Sequence, residues 1–139
     1  MQAWTPEAVA GLAEVPYRTL MRWLKAGYVH ASIAPPRGER RQVLLGLDDV
    51  LEACVVATLR RTGVSMEVIA NLLGRLREDG VSLQGVHLIT VDPEEVLVYR
   101  SAREAMLLLA QPGQKTLLPI ARWRELAQKE FPHEQAIVA

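Results

Sequence analysis

Pro16-Tyr17-Arg18-Thr19-Leu20-Met21-Arg22-Trp23-Leu24-Lys25-Ala26-Gly27 is the stretch on which the reading of the chain turns. Proline needs no amide donor and fits a helix opening. Leu20, Trp23 and Leu24 then recur at helical spacing. Gly27 supplies the left-handed stop with which many helices end. A basic helix with one apolar stripe is therefore expected from Pro16 to about Ala26, packing through Leu20 and Trp23 or Leu24.

Upstream, Thr5-Pro6-Glu7 is a strong helix start: threonine caps open amides, proline suits the first turn, and glutamate favours the positive helix end. The first helix should run to about Ala13 with Val9 and Leu12 on one face. Only a few residues separate it from the second, which is helix-turn-helix geometry. Downstream the period changes. Val29, Ala31 and Ile33 alternate with small or polar neighbours, Pro35-Pro36-Arg37-Gly38 signals a turn, and Val43-Leu44-Leu45 is apolar. A hairpin with a basic tip, a wing, is expected there. Asp48 or Asp49 should cap a third helix, with Glu52 three residues after Asp49 in a capping-box-like arrangement. Gly63 closes it near Thr62. Ser65 opens a fourth helix carrying Ile69, Leu72, Leu73 and Leu76 as one buried stripe, and Gly80 stops it.

The second half reads as a small α+β unit. His87 to Val91 and Val96 to Tyr99 are expected as strands joined by a turn at Asp92-Pro93-Glu94-Glu95. A helix from Ala102 to Ala110, a short strand at Leu117-Leu118 and a last helix from Ile120 to Glu130 follow. The expected fold class is α+β, divided into a first domain at residues 1–79, a linker at 80–86, and a small α+β unit at 87–139.

Charge supports a phosphate-facing side. The chain of 139 residues is neutral overall, yet residues 16–45 hold six basic side chains against one acid, Glu39. The remainder is correspondingly acidic, and a basic stretch on an acidic body is the footprint of a nucleic-acid-binding face. Charge by itself leaves a solvated loop equally open.

Two runs resemble the MerR-type transcription regulators. Thr19 to Val29 is similar to that family's recognition helix and wing entry. Leu59-Arg60-Arg61-Thr62-Gly63-Val64-Ser65-Met66-Glu67-Val68-Ile69 resembles its junction between the third and fourth helices. They lie in the family's order and separation across residues 4 to 77. The resemblance implies a winged helix-turn-helix of four helices and a hairpin, with double-stranded DNA as partner. Tyr17, Arg18, Arg22 and Lys25 become the candidate groove contacts, because an arginine fork suits guanine or phosphate. Arg37, Arg40 and Arg41 on the wing, and Arg60 at the junction, become candidate backbone contacts. The chain departs from the family at Met21, where many members carry arginine. It also has Gly80, Gly85 and strand-like residues where a dimerising coiled coil usually follows. A homodimer assembled through the α+β unit, with its last helix as one candidate interface, is the resulting expectation.

Other chemistry is poorly supported. Cys54 is the single cysteine, which excludes an intramolecular disulfide and a multi-thiolate metal site, and its apolar neighbours suggest a buried thiol. His30, His87 and His133 are scattered, Gly-rich phosphate loops are absent, and Glu94-Glu95 reads as solvated charge in a turn. Catalytic residues, cofactors and metals are therefore not expected. The N-terminus lacks the pattern of a secretory signal, and the longest apolar run, Val50 to Leu59, is broken by Glu52. A bacterial cytoplasmic regulator is expected, with a small-molecule effector or a protein partner at the C-terminal unit. The alternative is a VapB-type antitoxin or other interaction module that uses the same winged helix for autoregulation.

Overall fold

The computed structural model describes residues 2–33, 43–92 and 95–129. It is an α+β protein in which six α-helices accompany a three-stranded antiparallel sheet among those residues. By backbone contacts the chain forms two compact units, Met1–Ala57 with Ala121–Ala139, and Thr58–Ile120.

In the first unit, α1 (Pro6–Ala13) begins as its sequence dictates: Thr5 Oγ1 accepts from the amide of Ala8 at 3.3 Å, and Pro6 fills the first turn. Its last turn is closed by Glu14 in the left-handed region, φ 57. The α2 helix (Tyr17–Ala26) follows after three residues and packs on α1, with Leu20 and Trp23 buried. Gly27, φ 83, ends it, and the amide of Tyr28 returns to the carbonyl of Trp23 at 3.0 Å. No atom would meet a Cβ at Gly27, so the glycine is there for its backbone. Gly27→Ala should cost about 1 kcal/mol through the left-handed conformation alone, read as a lower denaturation midpoint with unchanged m-value.

Trp4 organises this unit. Its backbone exchanges two hydrogen bonds with Leu45, at 2.8 and 2.9 Å, and its side chain is fully buried. Its indole Nε1 donates to the carbonyl of Ala127 at 2.9 Å, which fixes α6 (Ile120–Lys129) to the N-terminal segment. The last helix, although reached through the strand-rich half of the chain, thus groups with the first unit.

The α3 helix (Leu47–Arg61) is apolar on almost every side, and Val50, Leu51, Ala53 to Ala57 and Leu59 are all buried. Cys54 lies among them, buried, as its neighbours suggested. The start of α3 differs from expectation. Neither Asp48 nor Asp49 precedes the helix. The Gly46 carbonyl accepts the first helical bond, from Val50, and Asp49 reaches back from the third helical position to the Gly46 amide at 2.8 Å. This is the returning half of a capping box, set three residues earlier than the sequence suggested. Glu52 is thereby released for another role.

In the second unit, α4 (Met66–Glu78) is capped by Ser65, whose Oγ accepts from Val68. Of its apolar stripe Ile69 and Leu73 are buried, while Leu72 and Leu76 remain half-covered. The segment expected as a linker is packed: Leu83 and Val86 are buried around a short turn at Leu83–Gly85. β1 (His87–Asp92) is the central strand, flanked by β2 (Glu95–Tyr99) and β3 (Thr116–Leu117), with α5 (Ala102–Leu109) against β1 and β2. Leu88 and Ile89 are both fully buried, so β1 is covered on its two faces.

Candidate nucleic-acid interface

An α-helix turns about 100° per residue. Placed on that wheel, Arg18, Arg22 and Lys25 of α2 fall within an arc of about 60°, whose centre lies within about 20° of the direction opposite the midpoint between Leu20 and Trp23. The structure agrees: Leu20 and Trp23 are buried, and Arg18, Arg22 and Lys25 are exposed. Tyr17, 47% exposed, stands at the N-terminal end of the same helix. Burial of two large side chains thus presents three cations outward on a helix of 10 residues. Arg22 is held loosely by a neighbour, its Nη2 donating to Thr19 Oγ1 at 3.3 Å.

After α2 the chain enters an extended segment tied to the head of α3. Val29 is buried, and Ile33 faces Leu44 in an antiparallel bridge, as a hairpin stem would. Two buried carboxylates of α3 secure this segment. Asp49 Oδ2 accepts from the Ser32 amide at 2.8 Å and from the Ser32 hydroxyl at 2.6 Å, besides the Gly46 amide. Glu52 Oε1 accepts from the His30 amide at 3.1 Å and lies 3.7 Å from His30 Nδ1. A Cβ at Gly46 would sit 3.3 Å from Ser32 Oγ, which measures how closely stem and helix head approach. Sequence reasoning missed both anchors. The available signal was a glycine followed three residues later by an acid, a spacing that lets the acid turn back on the glycine amide.

Arg37, Arg40 and Arg41 lie outside the described residues. Arg60 belongs to the second unit. It is exposed in the last turn of α3, and its Nη1 donates to the carbonyl of Val64 at 3.1 Å, bracing the turn into α4. Gly63, φ 96, and the bond from the Val64 amide to the Leu59 carbonyl complete that turn. Among the described residues no group of three or more metal-ligating side chains gathers, and no helix is long and apolar enough to cross a membrane.

Residues 5–76 match the family described as MerR HTH family regulatory protein. The chain belongs to the MerR family. The matched span runs from the Thr5 cap through α4, so it contains α2, the stem and the α3–α4 turn. The chain is also similar to uncharacterized HTH-type transcriptional regulators of Mycobacterium bovis and of two strains of Mycobacterium tuberculosis, at 32% identity over 104 residues in each case. Those matches cover 74% of this chain and 45% of each relative, so the chain spans about half the length of the curated relatives it matches. A DNA-binding transcriptional regulator is the function that family and relatives support.

Proposed function

We propose that this MerR-family protein is a cytoplasmic, sequence-specific regulator that binds a two-fold operator as a homodimer, with α2 in the major groove. One observation carries the reading: Arg18, Arg22 and Lys25 share the face of α2 opposite buried Leu20 and Trp23. A helix so armed can lie in a groove while its apolar side stays seated on α1. Tyr17 adds a contact at the helix start. In this reading Arg37, Arg40 and Arg41 meet the backbone or the minor groove beside it, and Arg60 meets a phosphate. Residues 1–79 form the DNA-binding part, braced by the return of α6, and residues 87–139 otherwise serve assembly or sensing, with an effector or partner protein as the input.

The roles of the cations separate by experiment. Operator fragments selected from genomic DNA by the purified chain provide the specific duplex, and a scrambled duplex the non-specific one. Arg22→Ala should weaken specific binding by about 1–3 kcal/mol, as expected for loss of a bidentate base contact, and change non-specific binding far less. Lys25→Ala should weaken both duplexes alike and make the slope of log affinity against log salt shallower by about 0.9. Specific affinity unaltered by Arg22→Ala removes Arg22 from the base-reading set. Affinity indifferent to salt for both duplexes refutes the DNA-binding face.

A further inference from the structure

The edge of the sheet holds a surface that the winged-helix reading does not use. The amide of Leu118 donates to the carbonyl of Leu88 at 2.9 Å, so Leu88 directs its backbone groups toward β3. Backbone direction alternates along a strand, which turns Ile89 and His87 toward β2. Their register partners Leu97 and Tyr99 are therefore the residues that bond to β1. Val96 and Val98 then point their N–H and C=O groups away from β1, at the edge of the order β2-β1-β3 that no strand covers among the described residues.

On the same edge the side chains of Val96 and Val98 line an open groove with Val68, Leu72 and Leu76 of α4, and Arg75 and Arg100 also line it. Val68 and Val98 are 38% and 37% exposed, a high value for valines on packed elements. Strand β2 reads Glu-Val-Leu-Val-Tyr, without the proline or lysine that usually protects an edge. The opposite edge is only the two residues of β3.

The geometry points to a second copy of this chain as the occupant, its β2 pairing antiparallel with β2 across a two-fold axis at Leu97. The inference rests on the homodimer in the proposed function and names its interface. Backbone parity pairs outward residues only with outward residues, and of the registers it allows, one matches both outward residues of β2 within the strand: Val96 meets the partner's Val98, and Val98 the partner's Val96, in about four hydrogen bonds. The valines also meet valines over the α4 groove. Charge favours the same direction. Glu95 opens the strand and Arg100 follows its end, both exposed, so antiparallel pairing sets the acidic end of one copy beside the arginine of the other. A contact of this kind is isologous and closes at two subunits, since it consumes the longer of the two edges of the described sheet.

Sedimentation equilibrium of the full chain, with circular dichroism to check folding, tests the interface. The wild type should be a dimer. Val98→Lys should weaken self-association at least about tenfold, because a charge is set between apolar partners. Met106→Lys, on the 70% exposed surface of α5, should leave it unchanged. Glu95→Arg and Arg100→Glu should each weaken self-association, and an equimolar mixture of the two should recover it, since each arginine pair then faces a glutamate pair. That mixture decides the matter if Val98→Lys disturbs folding. Full dimerisation of Val98→Lys, dissociation by Met106→Lys, or no recovery on mixing overturns this interface while leaving the homodimer standing. A monomeric wild type overturns both, and the Arg22 titration still judges DNA binding separately.

Discussion

Asp49→Ala should destabilise the protein by about 3–5 kcal/mol, a large share of the margin by which a domain of this size is folded. The carboxylate is buried and accepts three hydrogen bonds on one oxygen, from the Ser32 amide, the Ser32 hydroxyl and the Gly46 amide. Charge-assisted bonds of this kind contribute about 1.5–3 kcal/mol each, and their removal strands two backbone donors. Alanine cannot replace them, and the tight approach at Gly46 leaves little room for water to do so. Asp49→Asn keeps the shape and one carbonyl acceptor, so it should lose roughly half as much. Chemical denaturation of the two variants checks the order. Equal losses would mean that packing, and not the carboxylate, holds the stem to α3. The proposed function would draw on this anchor, because Ser32 lies on the extended segment between α2 and the candidate wing residues Arg37, Arg40 and Arg41.

The second large effect is expected at Trp4. Its side chain is fully buried, and truncation to alanine should cost about 3–5 kcal/mol from the cavity. Trp4→Phe separates packing from polarity. It retains most of the ring but removes the donor that meets the Ala127 carbonyl at 2.9 Å. A loss of about 1–3 kcal/mol is expected from that orphaned acceptor. Hydrogen exchange should locate the damage: Trp4→Phe should raise exchange in α6 more than in α1 or α2. Uniform exchange across all three helices would show that the indole bond does not hold α6 in place.

The helices were legible because their signals are local. Thr5-Pro6, Gly27, Gly63 and Ser65 act within one turn of where they stand, and each occupies the terminus that its chemistry favours. The cation face of α2 was legible for the same reason: Leu20 and Trp23 must be buried, and helical geometry then fixes where Arg18, Arg22 and Lys25 point. Residues 48–52 were less clear. Asp49 and Glu52 are both good helix-start residues, and only the approach of residues 30–32 reveals that they accept bonds from a distant segment. Arg60 sits in the last turn of α3, and its bond to Val64 depends on how the chain folds back after Gly63.

The succession of helices and strands along the chain, and most helix stops, follow from the amino-acid sequence, since periodicity and capping are properties of neighbours along the chain. The grouping of α6 with the N-terminal segment, the capture of the stem by two buried carboxylates and the outward turn of the Val96 and Val98 backbone belong to tertiary structure. Each depends on a partner many residues away, and no local pattern records which distant group will complete a hydrogen bond.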